Sequence, residues 1–151
     1  MKWRFVEPQD YKWAIAASKE HHKESDWSEV EYNDVKAKRY FDVAITDPNY
    51  FAILVEKGNK RIGFMAGRIM EYSYSYETFA KELELYVDPK HRNGMAGIFM
   101  MKKFMDWAKM RGVREVIFEP RLSDVAIKKF DAMAKRLGME HFANAYRRRF
   151  V

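Results

Sequence analysis

A chain of 151 residues has the length of one domain, and its 48% hydrophobic and 33% charged residues are typical of a globular rather than a disordered protein. The absence of cysteine excludes disulfides, zinc–thiolate sites and a cysteine nucleophile. No apolar stretch approaches the ~20 residues of a membrane span, and the start reaches a charge too early for a secretion signal. We therefore expect a single cytoplasmic domain over residues 1–151, without membrane contact.

The net charge of +6 is unevenly distributed along the chain. Residues 1–87 carry 13 Lys and Arg against 15 Asp and Glu, whereas residues 88–151 carry 15 against 7. A basic C-terminal half suits a phosphate-rich partner, either a nucleotide cofactor or a nucleic acid, although no nucleic-acid motif accompanies it. A solvated basic surface is the alternative interpretation.

The first half of the chain predicts a strand, two helices and three further strands. The strands cover residues 3–6, 51–56, 61–72 and 79–87, with a hairpin turn at residues 57–60. The first helix covers about residues 10–23, and the second runs from an N-cap at Ser25–Asp26 to a stop at Asp47–Pro48. In the strand before Pro89, alternation turns Leu83, Leu85 and Val87 to one face and Glu82, Glu84 and Tyr86 to the other.

The second half alternates helices and strands. A helix over about residues 94–110 is followed by a strand over residues 113–119, a helix capped by Ser123, and a last strand over residues 140–150. The order β-α-α-β-β-β-α-β-α-β predicts an α/β fold, antiparallel at first and partly parallel later.

The turn between strand and helix at residues 88–97 has the features of a phosphate site. Helix N-termini present unpaired N–H groups and partial positive charge, glycine allows close approach, and Lys90, His91 and Arg92 add cations. Gly94 and Gly97 could instead serve tight packing of helix on strand. Neither a P-loop nor a Rossmann fingerprint is present.

The run Val87-Asp-Pro-Lys-His-Arg-Asn-Gly-Met-Ala-Gly97 resembles the pyrophosphate loop Val-x-Pro-x-x-Arg-Gly-x-Gly-x-Gly of the Gcn5-related N-acetyltransferases (GNAT). Anchored on Arg92, the loop has Asn93 and Met95 in place of two glycines; anchored on His91, Gly94 and Ala96 fill the small positions. The variant also resembles loops of bacteriophage members. Residues 107–112 and 137–139 match the family's helix ends. The resemblance implies a GNAT-like mixed, mostly antiparallel central sheet flanked by helices.

The resemblance further implies acetyl-CoA as acyl donor and no metal. The pantetheine arm would follow the strand before the loop, and the pyrophosphate would meet the loop itself; the residues concerned are Leu85, Tyr86, Val87, Arg92, Asn93, Gly94, Met95, Ala96 and Gly97. Acceptor pockets in the family come from the first two helices and a loop that corresponds to residues 72–78.

Glu84, and after it Glu82, is the candidate general base, because the family often places a carboxylate on this strand. A solvent-facing side of an alternating strand is the alternative. Many relatives place an acidic Tyr at the position of Ala134, so that role does not carry over. Tyr146 on the predicted last strand, Tyr86 or water would then protonate the thiolate.

The leading hypothesis is direct transfer of acetyl from acetyl-CoA to a primary amine in a ternary complex. The acceptor is unidentified and is a protein, a small molecule or an aminoacyl-tRNA. The alternative is a non-catalytic CoA-fold module that acts through a protein or RNA partner. Dimerisation, which is common in the family, stays open for this chain.

Overall fold

The protein is a five-stranded sheet with helices packed on both faces. The computed structural model describes residues 1–150. In chain order the elements are β1 Lys2–Phe5, α1 Tyr11–Glu24, α2 Asp34–Ala44, β2 Tyr50–Lys57, β3 Lys60–Glu71, β4 Thr78–Val87, α3 Ala96–Met110, β5 Val116–Ile117 and α4 Asp124–Arg136.

The order of strands in the sheet follows the chain, from β1 to β5. Strands β1 to β4 are antiparallel to their neighbours, and β5 joins β4 in parallel because α3 carries the chain back along the sheet. Gly58 and Asn59, with φ of 55° and 60°, form the left-handed turn of the predicted β2–β3 hairpin. The predicted fold class, a mixed and mostly antiparallel sheet flanked by helices, is confirmed.

Two apolar cores hold β4 between the helical layers. On one face, Met100 and Phe104 of α3 pack against Phe51 of β2. On the other, α1 and α2 pack against Phe64 of β3 and Tyr86 of β4. Each buried side chain of this size stabilises the fold by about 1.5–3 kcal/mol, so the strand that carries the candidate site is fixed from both sides.

A buried ion cluster ties β1 and β3 to the start of α1. Asp10 is fully buried, and its carboxylate accepts hydrogen bonds from Arg4 at 2.6 and 2.9 Å, from Arg61 at 2.8 and 3.0 Å and from the Glu7 backbone N–H at 2.9 Å. Burial alone would raise the pKa of Asp10, but these donors outweigh it and lower the pKa to about 2. Sequence patterning had not singled out this residue.

The start predicted for the second helix is wrong. Ser25 ends α1 instead, since its N–H and its hydroxyl both donate to the carbonyl of His22. Helix α2 begins at Asp34, where the Asn33 side chain accepts from the Lys36 N–H at 2.9 Å. Residues 26–33 form the loop between these helices, and the apolar side chain of Val30 in this loop is 61% exposed.

The predicted last strand is also wrong, because residues 139–150 have no regular secondary structure. The side chains whose alternation suggested it, Phe142, Tyr146 and Phe150, are 66%, 98% and 87% exposed. Alternation alone does not make a strand when backbone partners are missing. Arginines hold the tail to the α1–α2 loop instead: Arg147 donates to the Asp26 carbonyl, and Arg149 pairs with Glu29.

Candidate active site

A β-bulge in the middle of β4 sets the geometry of the site. Ala66 of β3 lies opposite Glu84 and Gly67 lies opposite Glu82, so Leu83 is an extra residue. The alternation predicted across residues 82–87 is therefore wrong at Leu83, which is 42% exposed, while Leu85 and Val87 pack with the α3 core. Glu82 and Glu84 consequently have different surroundings.

Strands β4 and β5 separate beyond the bulge. Of the residues described, β5 pairs with β4 only through Ala80 with Val116 and Lys81 with Ile117. Residues 82–87 therefore leave one backbone edge of β4 without a strand partner, at the position where Leu85, Tyr86 and Val87 were predicted to bind an extended arm. Such an edge can accept a ligand through main-chain hydrogen bonds.

A groove of about 280 Å³ follows the opening between β4 and α4. Leu85, Val87, Phe130 and Met133 give it apolar walls, and polar side chains lie at its rim. The rim residues are His21, Glu24, Arg92 and Lys129. Its amphipathic lining suits a ligand with an apolar arm and a charged end.

The N-terminus of α3 lies at the charged end of this groove. The helix begins at Ala96 after Met95 and has no side-chain cap, so its first N–H groups lack helical acceptors. Gly97 lines the groove, where an added Cβ would lie 3.4 Å from the Met133 sulfur. Gly94 in the preceding turn also lines it. These groups leave the helix end open to an anion, the kind of ligand that helix N-termini suit.

Two cationic side chains flank the helix end, and one of them was not predicted. Arg92 donates from Nε to the Val87 carbonyl at 2.9 Å, and its Nη2 contacts the Glu24 carboxylate at 2.8 Å. Lys129 of α4 donates to Asn93 Oδ1 at 3.3 Å. Lys129 lies on α4, about thirty residues after the loop, so no local sequence motif predicted that it would reach this site. Glu24 was not predicted from the sequence either, and its carboxylate forms an ion pair with Arg92.

Glu84 is half-buried against α1, where its carboxyl accepts a hydrogen bond from Ser18 Oγ at 2.9 Å. Burial raises the pKa of Glu84 to about 8; the Ser18 bond opposes the rise, and the charge of Glu82 adds to it. A carboxyl group that titrates near neutral pH suits proton transfer, and such groups concentrate at functional sites. Ser18 was missed because it lies on α1, 66 residues away in the chain.

Glu82 is buried, and its surroundings lie toward the end of β5. A hydrogen bond involving the Glu119 backbone and the charges of Lys81 and Arg121 act on it. Burial, the largest influence, raises the pKa of Glu82 to about 7. Both carboxyl groups therefore have raised pKa values, but Glu84 lies against α1, whereas Glu82 lies near Glu119 and Arg121.

The two tyrosines considered as acids differ in accessibility. Tyr86 is buried against Phe64, with ring centroids 6.0 Å apart, and burial raises the pKa of its hydroxyl. The strand that was predicted to position Tyr146 is absent from residues 139–150, and the Tyr146 side chain is 98% exposed on the irregular tail. Ala134 lies on α4 as predicted and offers no hydroxyl.

Within residues 1–150, no three His, Asp or Glu side chains gather into a group that would hold a metal ion. In the same part of the chain, the helices are all too short or too polar to cross a bilayer.

One family model matches the chain, and solved structures of low sequence identity share its fold. A sequence model of the acetyltransferase (GNAT) family matches residues 11–133. The structure is similar to a transcriptional regulator from Bacillus halodurans, with a TM-score of 0.77, 16% identity and 99% of each chain covered. It is also similar to an aminoglycoside antibiotic 6'-N-acetyltransferase from Acinetobacter haemolyticus, with a TM-score of 0.75, 15% identity and coverage of 100% of this chain and 99% of that one.

A predicted acetyltransferase with acetyl-CoA from Clostridium acetobutylicum is similar as well, with a TM-score of 0.77, 15% identity and coverage of 98% of this chain and 95% of that one. At these identities the likeness concerns the fold. A search of curated protein sequences finds no match to the chain.

Proposed function

Because this chain belongs to the acetyltransferase (GNAT) family, we propose that it is an N-acetyltransferase that moves acetyl from acetyl-CoA to a primary amine. One observation carries the proposal: the groove with its open helix end is lined by Leu85 of β4, and the adjacent residue Glu84 has a carboxyl group of raised pKa. A donor held in the groove would thus present its reactive end toward a residue suited to accept a proton.

The residues present fit CoA in three respects. The N–H groups of Ala96 and Gly97, with the Arg92 and Lys129 cations, suit a pyrophosphate. The apolar walls of the groove suit the pantetheine arm. The open edge of β4 at residues 85–87 offers backbone groups that would pair with the arm's amides and stabilise an oxyanion.

Glu84 would act as general base in its ionised form. It takes a proton, directly or through water, from the acceptor nitrogen as the C–N bond forms and the C–S bond breaks. The departing thiolate takes a proton from water, because Ala134 has no hydroxyl and Tyr146 lies in solvent. Glu84 then returns its proton to solvent, so that one amine is acetylated and one thiol is released for each turnover.

Calorimetric titration with CoA, followed by release of CoA thiol with a panel of amines, tests the proposal. We expect binding in the micromolar range, and a loss of at least tenfold in affinity for R92M because a charge-assisted phosphate contact is removed. R111M is the matched control, since Arg111 lies at the far end of α3 and bonds Asn49. Absence of binding at millimolar CoA would contradict the proposal.

A non-catalytic CoA-binding module is the second candidate. Two observations favour it: Ala134 stands where many relatives have a tyrosine, and Glu24 already occupies Arg92. In that case CoA would bind and R92M would weaken it, but no amine would accelerate thiol release above the rate of hydrolysis. Steady, amine-dependent thiol release rejects this candidate.

A further inference from the structure

Arg68 of β3 is a half-buried arginine without an ionic partner. Its Nε is buried and makes no hydrogen bond, and no carboxylate of residues 1–150 lies within ion-pair distance of its guanidinium. By contrast, Arg4 and Arg61 of the neighbouring sheet region both bind Asp10. A buried donor left unsatisfied costs about 1–3 kcal/mol, which a bound acceptor group would recover.

Arg68 lies on the same face of the sheet as Glu84, on the neighbouring strand. Ala66 lies opposite Glu84 across the β3–β4 pair, and Arg68 is two residues further along β3 on the same face. Residues two apart in a strand are separated by about 6.5–7 Å along it, so Arg68 is a near neighbour of the position opposite Glu84; across the bulge, Arg68 itself lies opposite Lys81. Within residues 1–150, Arg68 forms no salt bridge with Glu84, whose carboxyl bonds Ser18 instead, so the guanidinium is available to another anion.

Tyr40 of α2 lies within electrostatic reach of both groups. Its hydroxyl donates to the carbonyl of Gly67, the residue before Arg68, at 2.9 Å. Burial raises the pKa of Tyr40, with Tyr50 and Glu84 adding to the rise and Arg68 opposing it. The face of the sheet under α1 and α2 therefore holds the Glu84 carboxyl group and a guanidinium that, within residues 1–150, forms no ion pair.

We propose that Arg68 binds an anionic group of the acceptor, so that the acceptor class is small amines bearing a carboxylate or a phosphate a few bonds from the nitrogen. This inference rests on the proposed function, since it assigns the amine to Glu84. A guanidinium binds either anion through two parallel N–H bonds, with defined geometry as well as charge. An acceptor that spans both groups would have its nitrogen fixed for reaction.

Three acceptors that share an aminoethyl group test the proposal: β-alanine, 2-aminoethyl phosphate and ethylamine. We expect the wild-type kcat/KM to be at least tenfold higher for one of the anionic acceptors, and the better of the two identifies the anion. R68M should remove this preference for the anionic acceptor, mainly through KM, and R68K should restore part of it. R111M serves as control for the loss of one arginine at a remote site.

Equal wild-type rates with charged and uncharged acceptors, or an R68M loss that is the same for all three, would overturn the inference while leaving the proposed function intact. Failure of thiol release with every amine would refute the proposed function instead. In that case thermal-shift titration with 2-aminoethyl phosphate and β-alanine still decides about Arg68: stabilisation of the wild type but not of R68M supports the site, and no stabilisation of the wild type refutes it.

Discussion

Replacing Glu84 with glutamine separates its proposed work as a base from its effect on the fold. Because the pKa of Glu84 is raised to about 8, about a tenth of the molecules carry the ionised form at pH 7 and about nine tenths at pH 9. If this carboxylate accepts the amine proton, kcat/KM should rise about tenfold between these pH values. E84Q should lose the rise and at least about a hundredfold in kcat.

The acceptor in this assay should be an amine that stays unprotonated over the whole pH range, so that its own titration does not contribute. E82Q is the matched control: it should keep the rise but move its midpoint to lower pH, because the charge of Glu82 raises the pKa of Glu84. A wild-type profile that is flat from pH 6.5 to 9, or one that E84Q reproduces, would refute the assignment of Glu84 as base.

Stability provides an independent readout of the same carboxyl group. The pKa of Glu84 in the folded protein lies above the ordinary value of 4.5, because folding disfavours the ionised carboxylate. The stability of the folded state therefore falls as the pH rises from about 4.5 to about 8. Glutamine keeps an acceptor for Ser18 and carries no charge. After allowance for partial solvent exposure, E84Q should be about 1–2 kcal/mol more stable at pH 9, or about 3–6 °C higher in Tm, and unchanged near pH 4.

Three further predictions concern the ion pairs and the tail. E24Q should tighten CoA binding about two- to fivefold, measured by calorimetry at low salt, because it frees Arg92 from a competing carboxylate; unchanged affinity would contradict this. D10A should lower the free energy of unfolding by about 3–5 kcal/mol in urea titrations at pH 7, and the difference from wild type should shrink as the pH falls from about 4 through about 2, since the contribution of Asp10 is lost there. Y146F should leave kcat unchanged within a factor of two, and a tenfold loss would restore the hydroxyl as a candidate acid.

The elements with local signals were predictable from the sequence. The loop from Val87 to Gly97 combines a strand end, small residues and a helix start within a few positions. The pair Gly58–Asn59 predicts the turn between β2 and β3, because both residues adopt left-handed backbone readily. The apolar spacing of α3 fixed its buried face in the same way. Each of these depends on residues near one another in the chain, where physical preferences act without tertiary context.

Contacts between distant segments were not predictable. Ser18 reaches Glu84, Glu24 reaches Arg92, and Lys129 reaches Asn93 across the groove, and no spacing rule connects these positions. The prediction of a last strand was wrong for the same reason. Alternation near Tyr146 is compatible with a β-strand, but a strand also needs a neighbouring strand edge with free backbone groups. Helix α2 began late because Asn33 caps it and Ser25 is engaged at the end of α1.

The extra residue at Leu83 determines which side chains of β4 meet each helical layer. Ala80 before it and Leu85 after it both join the α3 core, although they are separated by an odd number of positions. The strand thus changes phase once, and deletion of Leu83 would exchange the two sides for everything downstream: Val87 would meet α1, and Tyr86 would be driven into the α3 layer. The length of β4 is therefore under a parity constraint, so relatives of this chain should vary in their loops long before they gain or lose one residue there.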